Sequence, residues 1–210
     1  MKIEHDTWDR REIFDFFSGM KDPFYMVTFT VDVTPLYRYV KAKGLSFYYA
    51  MVWCCMKAVN AVENFRYVIR DGEVHLIDGR SPSFTDLKPG SELFHIVTIP
   101  MADDPEVFCR RAAERSRSQT CFINTETETD DLVYLSCLPW LDLTALTNER
   151  DPDKDDTVPR ISWGKYAETD GRKQLNLSLE VNHRFIDGIH IGKFQDALLQ
   201  EMQALEQSCG

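Results

Sequence analysis

Two stretches of the chain alternate cleanly between apolar and polar positions. From Tyr25 to Val33 one face carries Tyr25, Val27, Phe29, Val31 and Val33, and from Gln174 to Asn182 the apolar residues are Leu175, Leu177, Leu179 and Val181. A period of two marks strands with one face in a core. Leu93–Pro100, Leu132–Leu138 (ended by Pro139) and Arg160–Tyr166 read as further strands. Tyr67–Arg70 and Glu73–Ile77 flank Asp71-Gly72, the residue pair that a type I′ hairpin turn demands. Helical spacing covers Arg10–Phe17, then Pro35–Lys43 stopped by Gly44, then a long segment to about Val62 with Ser46 as its N-cap. Asp103-Asp104-Pro105 opens a helix to about Ser118, and Ile189–Glu206 carries Phe194, Leu198, Met202 and Leu205 in one stripe. Gly79–Gly90 and Thr120–Asp131 read as loops, and the segment around Asp170-Gly171 as the turn between the last two strands. Asn148–Thr157 holds five acidic residues and a proline, which predicts an exposed, mobile acidic loop. Strands interspersed with helices, without repeat or linker, predict a single domain over 1–210: an α/β (α+β) two-layer sandwich with a mixed β-sheet and helices on one face.

Composition narrows the function classes. At 210 residues and 43% hydrophobic the chain is large enough for one sizeable core. A net charge of −10 without a Lys/Arg stripe argues against a nucleic-acid partner. The start, Met1 to Asp6, has no apolar segment, and the most apolar run, Ala50–Cys55, falls well short of the ~20 residues a membrane span needs. The six cysteines (54, 55, 109, 121, 137 and 209) form no Cys-x-x-Cys pair and read as free thiols of a reducing cytoplasm. The five histidines show no metal-ligand spacing, so no metal is expected.

Candidate chemistry gathers where the second alternating strand ends. His183 follows directly and precedes Asp187-Gly188, after which the last helix begins. An apolar strand holds such an imidazole rigidly while the turn leaves one side open, and histidine exchanges a proton near neutral pH. The same residues also fit a plain strand-end His with an Asp N-cap, so His-x-x-x-Asp-Gly needs its context. That context is supplied by Trp8-Asp9-Arg10-Arg11-Glu12-Ile13-Phe14-Asp15-Phe16-Phe17 and by Leu135-Ser136-Cys137-Leu138-Pro139-Trp140. With the His motif, and in this order, they resemble the chloramphenicol acetyltransferase family. A fainter likeness runs through nearly the whole chain, including Phe47-Tyr48, Asp71 and Trp163-Gly164-Lys165-Tyr166.

The resemblance implies a cytoplasmic homotrimer with active sites at subunit interfaces, acetyl-CoA as co-substrate, a hydroxylated small-molecule acceptor and, where that acceptor is chloramphenicol, antibiotic resistance. It implies His183 as general base, Ser136 as oxyanion donor, and an Asp187–Arg10 pair that pins the His turn; Arg11 is the neighbouring alternative. It places Lys165, Tyr166, Ser162 and Trp140 on the coenzyme A side, with Ser46 where the family has a second lysine. It places Phe16, Phe17, Phe94 and Phe122 on the acceptor side. Phe17 stands where the family has a tyrosine that hydrogen-bonds the acceptor, Tyr134 stands for an asparagine, and Asn182 for the first of two histidines. The His motif is also similar to that of the acyltransferase core of 2-oxoacid dehydrogenase complexes, but no lipoyl domain or Pro/Ala linker accompanies it. A non-catalytic ligand-binding relative is the remaining alternative; intact His183, Ser136, Arg10 and Asp187 argue against it.

Overall fold

The computed structural model of the chain describes residues 1–88 and 90–209. The strands are β1 (Phe24–Asp32), β2 (Tyr67–Arg70), β3 (Glu73–Leu76), β4 (Ser81–Leu87), β5 (Phe94–Thr98), β6 (Leu132–Leu138), β7 (Arg160–Gly164), β8 (Ala167–Thr169) and β9 (Arg172–Asn182). The longer helices are α1 (Arg11–Ser18), α2 (Thr34–Lys43), α3 (Phe47–Ala61), α4 (Pro105–Ser118) and α5 (Gly188–Gln207). Strands β2 and β3 form a separate hairpin; the others make one sheet in the order β1-β9-β7-β6-β4-β5, with β8 added to β9. It is mixed: β4–β6 and β6–β7 run parallel, and the remaining pairs are antiparallel. Both Asp-Gly turns have positive φ at both residues, 54° and 77° at Asp71-Gly72 and 52° and 75° at Asp170-Gly171, as type I′ geometry requires.

Register sorts the side chains into two faces. Val27, Leu179, Ile161, Leu135, Phe84 and Val97 stand opposite one another across six strands. This row meets the helices: α3 packs on β4 and β6, α2 on β9, α5 on β1 and α4 on β5. Leu175, Leu177, Leu179 and Val181 of β9 are each at most 2% exposed. Burial of such a side chain stabilises the fold by about 1.5–3 kcal/mol. One residue along each strand the side chains turn the other way, and there a row of hydroxyls runs through Thr28, Ser178, Ser162 and Ser136. Thr85 extends it, its Oγ1 lying 3.1 Å from Ser136 Oγ.

The segment between β6 and β7 folds back across this polar face. It crosses β7 at Gly164, where an added Cβ would sit 2.7 Å from both Leu141 O and Leu143 Cβ, so only glycine fits. It then follows β9. Asn176 Nδ2 donates to Leu143 O (2.7 Å), and Ser178 Oγ accepts from Leu146 N (3.1 Å). Glu180 Oε2 accepts from Asn148 N (3.1 Å), and Asn182 Nδ2 donates to Lys154 O (2.9 Å) and Asp156 O (3.1 Å). The acidic stretch 148–157 thus lies largely exposed on one side and hydrogen-bonded to β9 on the other. Arg150 ties it further, pairing with Asp156 (2.7 Å) and Glu180 (3.0 Å) with its guanidinium 3.5 Å from the Phe24 ring centroid.

Two elements differ from the sequence reading: Ala167–Thr169, read as part of the turn between the last two strands, is the short strand β8 paired with the start of β9; the other is larger. Gly79–Gly90 reads as a loop, yet Ser81–Leu87 is β4, an interior strand of the sheet (Pro89 lies outside the described residues). Ser, Pro, Thr and Asp normally signal turns. Here they occupy a strand whose outer face is itself polar, and Phe84 is the large apolar side chain it turns to the core.

Arg80 enters this strand 2% exposed and donates to backbone carbonyls alone or nearly so. Its acceptors are the carbonyls of Phe65, Tyr67 (2.9 Å), Asp130 (2.9 Å), Leu132 (3.0 Å) and Thr157 (3.1 Å). Burial lowers its pKa to about 10, so the charge persists at neutral pH. It joins the entry of the β2–β3 hairpin, the start of β6 and the end of the crossing segment. Arg80→Met should leave those carbonyls without donors and lower stability by about 3–5 kcal/mol. The check is chemical denaturation: the midpoint should fall with an unchanged m-value.

Candidate active site

Strand β9 ends at Asn182, and the chain turns through His183–Asp187 into α5. His183 N donates to Pro23 O (2.8 Å), so the turn starts against the entry to β1. Asn182 O accepts from both Phe185 N and Ile186 N (3.1 Å each), which tightens it. At the helix start Asp187 N donates to His190 Nδ1 (2.9 Å).

Arg10, just before α1, closes the turn from outside. Its Nη1 and Nη2 donate to the two carboxylate oxygens of Asp187 (2.5 and 2.7 Å). Nη2 also reaches His183 O (3.1 Å), and Nε reaches Arg184 O (2.7 Å). A planar fork suits this bidentate geometry. Arg11 points elsewhere, donating to Asp6 O (3.0 Å), so the partner of Asp187 is Arg10. Hydrogen bonding from Arg10 holds the Asp187 carboxyl below the usual carboxylate range.

The His183 ring stacks on Phe17 (centroids 4.0 Å apart) and leans on Tyr25 (4.3 Å). Its Nε2 is 3.6 Å from Asp187 Oδ1, outside hydrogen-bond range, and a third of the side chain is exposed. Burial lowers the imidazole pKa; Asp187 pulls it up and Arg10 pushes it down. The result is a neutral imidazole at neutral pH with an accessible edge, which is the state a general base requires.

Ser136 lies elsewhere. It is in register with Ser162, which is in register with Ser178. Ser178 precedes His183 by ~16 Å of extended strand, and Ser136 is a further ~10 Å across the sheet. One chain therefore does not bring His183 and Ser136 together. Ser162 is 1% exposed beneath the crossing segment, with its Oγ 3.4 Å from Asn148 Oδ1.

The residues expected on the coenzyme side do converge, apart from Ser162. Lys165, Tyr166 and Trp140 line a cavity of about 840 Å³ together with Thr85, Cys137 and Phe94. Tyr166 packs edge-on against Phe47 (5.2 Å) and Tyr37 (5.6 Å). Ser46, also in the lining, caps α3 by accepting from Tyr49 N (3.5 Å). Sequence reasoning missed Thr85 and Asp86 because they fall in the stretch read as loop. Asp86 faces the same cavity and accepts from Tyr49 Oη (2.6 Å) and Ser116 Oγ (2.7 Å).

The four phenylalanines fall into two groups. Phe16 (66% exposed) packs edge-on against Phe17 at the His183 end of the sheet. Phe94 and Phe122, about half exposed, pack edge-on against each other (5.4 Å) at the opposite edge, beside β5. Among the described residues, no group of three or more His, Cys, Asp or Glu side chains could hold a metal ion, and no helix is long and apolar enough to cross a membrane.

Comparison with known proteins finds relatives of the whole chain. Residues 1–203 match the family model described as chloramphenicol acetyltransferase. A chloramphenicol acetyltransferase of Streptomyces acrimycini is 31% identical over 208 residues, covering 97% of this chain and 92% of its own. A solved chloramphenicol acetyltransferase superposes with a TM-score of 0.88 at 24% identity, over 95% of this chain and 98% of that one. The cubic core of a pyruvate dehydrogenase multienzyme complex shares the fold at lower similarity: TM-score 0.64, 17% identity, 87% of this chain and 82% of that one.

The Arg10–Asp187 contact sets a double-mutant cycle. Arg10→Ala and Asp187→Ala should each destabilise the chain, and the double variant should cost less than the sum, with a coupling of about 1–3 kcal/mol. Denaturation of the four proteins measures it, and additive losses would dissolve the pair.

Proposed function

We propose the following chemistry for this chain, which belongs to the chloramphenicol acetyltransferase family and is therefore an acetyl-CoA-dependent O-acetyltransferase. His183 takes the proton of an acceptor hydroxyl as its oxygen attacks the acetyl thioester carbonyl. Ser136 donates a hydrogen bond to the oxyanion of the tetrahedral intermediate. Collapse breaks the C–S bond, and the proton passes from His183 to the departing coenzyme A sulfur. No acyl-enzyme is needed, because base and oxyanion donor act within one ternary complex. The observation that carries this reading is the His183 turn itself: backbone clamped by Arg10, imidazole neutral, edge open.

The distance between His183 and Ser136 within one chain supports a site shared between copies. One copy brings His183 with Phe16 and Phe17; its neighbour brings Ser136, Phe94, Phe122 and the cavity where Lys165, Tyr166 and Trp140 receive coenzyme A. The exposure of Phe16, Phe94, Phe122 and Trp140 fits such an interface. A homotrimer closes it symmetrically. Arg10 and Asp187 act by holding the base, and Ser162, in register with Ser136, keeps a second hydroxyl on the same face of the sheet. The free thiols, three of them buried, fit a reducing cytoplasm.

Two measurements test this reading. The lowered His183 pKa places the acid limb of kcat/KM below pH 6.5. Activity should be flat above that limb and fall as pH drops and the base is protonated. His183→Ala should remove activity by roughly 10²–10⁴-fold, with coenzyme A binding retained by calorimetry; near-full activity would dismiss His183 as base.

A further measurement concerns the acceptor. Phe17 stacks on the base, so it borders the reacting hydroxyl, yet it offers no hydrogen bond. An unpaired acceptor hydroxyl costs roughly 1–3 kcal/mol, up to about a hundredfold in affinity. We therefore place the preferred acceptor among hydroxylated compounds other than chloramphenicol, which is turned over slowly, and resistance follows only if that assignment is wrong. Phe17→Tyr should raise kcat/KM for chloramphenicol with donor kinetics unchanged. A wild-type value near 10⁷ M⁻¹s⁻¹, high in the usual enzyme range, would mean chloramphenicol is the acceptor.

A further inference from the structure

The two sequence neighbours of His183 hold the same atom. Lys154 O, in the segment that crosses the polar face, accepts from Asn182 Nδ2 (2.9 Å) and from Arg184 Nη1 (3.1 Å). Arg184 Nη1 also pairs with Asp155 Oδ1 (2.7 Å), and Asn182 Oδ1 accepts from Arg184 N (3.1 Å), which closes the arrangement. The Arg184 side chain is 3% exposed, with its guanidinium 4.7 Å from the Phe14 ring centroid. Its Nε is buried without a partner, so the orientation is set by the contacts at Nη1 and by the Phe14 ring. A buried arginine with one of its donors unmet is costly, and such sites persist where the geometry they enforce is used.

The same segment reaches the acceptor side. Lys154 Nζ donates to Ser18 O (3.3 Å), at the end of the helix that carries Phe16 and Phe17. One short stretch therefore holds the residues before and after the base and also the helix end beside it. Arg10 holds the opposite side of the turn through His183 O and Arg184 O. The His183 side chain is the free member of a turn whose backbone is fixed from both sides.

We infer that Arg184 and Asn182 are positioning residues, and that the segment around Lys154-Asp155 is a strap that fixes the attack geometry of His183. The inference rests on His183 being the base. Displacement of a reacting group by about 1 Å costs up to roughly 10²-fold in rate without touching substrate affinity. A strap that only stabilised the fold would leave the imidazole and the kcat-to-KM balance of a folded variant unchanged.

The test uses the full-length protein. The His183 imidazole is titrated by NMR, its signals assigned by their loss in His183→Gln. The variants are Arg184→Ala, Arg184→Lys and Asp155→Ala. Asp155 is 44% exposed, so its truncation should leave the fold intact even if Arg184→Ala does not. The charged groups acting on the ring are Asp187 and Arg10, the Tyr25 ring on β1 packs against it, and His190 on α5 lies against Asp187; none is altered. Loosening the turn admits water, relieves the burial that lowers the pKa, and moves the imidazole toward 6.5. Arg184→Ala and Asp155→Ala should show that rise, with kcat lower by roughly 10-fold or more and KM for acetyl-CoA within about twofold of wild type. Arg184→Lys, which keeps a donor for Lys154 O, should recover most of both. An unchanged imidazole pKa with unchanged kcat in a folded Asp155→Ala protein overturns the inference. Retained activity in His183→Ala overturns instead the assignment of the base, so the two failures are distinguishable.

Discussion

Strand β9 must serve two incompatible environments along one backbone. Its odd-numbered side chains, Leu175 to Val181, are buried under the helices, and its even-numbered ones, Asn176 to Asn182, are polar and also largely covered. Buried polar groups without partners destabilise a fold by about 1–3 kcal/mol apiece. Another β-sheet could not solve this, because its inner face would have to be matched in polarity residue by residue. The chain solves it with its own irregular segment, whose backbone N–H and C=O groups supply donors to Ser178 and Glu180 and acceptors to Asn176 and Asn182. Gly164 follows from that choice, since the segment must pass within contact distance of β7. The buried Arg150 and Arg160 follow as well: Glu180 and Asp156 bring carboxylates under the segment that only nearby cations can balance.

The electrostatics of His183 depend on a neutralisation one step removed. An anionic Asp187 oxygen 3.6 Å from an imidazole would, left alone, favour its protonated form. Arg10 takes both oxygens of that carboxylate and brings a positive charge near the ring. With the two charges opposed, burial decides, and the imidazole stays neutral. The same contact thus fixes the backbone of the turn and sets the proton affinity of its side chain. A lysine at position 10 could supply the charge but not the simultaneous reach to Asp187, His183 O and Arg184 O.

Much of this was legible in the sequence, for identifiable reasons. Both Asp-Gly turns, the Ser46 cap, the helix opened by Asp103-Asp104-Pro105 and the alternation of β1 and β9 are local signals, and each lies where local chemistry placed it. The Arg10–Asp187 contact spans 177 positions and came from a family resemblance; nothing in the spacing itself would have paired them. Strand β4 was hidden because its outer face is polar, so Ser-Pro-Ser-Phe-Thr-Asp carries turn formers inside a sheet. The hydroxyl row was half visible: Ser136 and Ser162 stood in recognisable motifs, whereas Thr28, Ser178 and Thr85 join them only through register, which composition does not encode. Arg80, Arg150 and Arg184 were overlooked for a simpler reason. In a chain of net charge −10, arginines read as solvated counter-charges, and burial against carbonyls or an aromatic ring leaves no mark in one dimension.

The separation of His183 from Ser136 has a structural logic of its own. His183 sits at a strand end, where a turn can leave an imidazole edge open; Ser136 sits mid-strand, where register fixes its hydroxyl to within the pleat. Within one chain this sheet does not offer a reacting carbonyl both positions at ~3 Å, because the two lie on different strands and at different heights. Copies related by symmetry remove the conflict, since the strand end of one can be brought against the mid-strand row of the next. The aromatic side chains at the two ends of the sheet then cease to be an anomaly of exposure. Phe16 and Phe17 on one side, Phe94 and Phe122 on the other, are the apolar surfaces that such an approach would cover, and the acceptor would lie between them. On this reading selectivity is a property of the assembly, whereas the proton affinity of His183 is set within one chain by Arg10, Asp187 and burial.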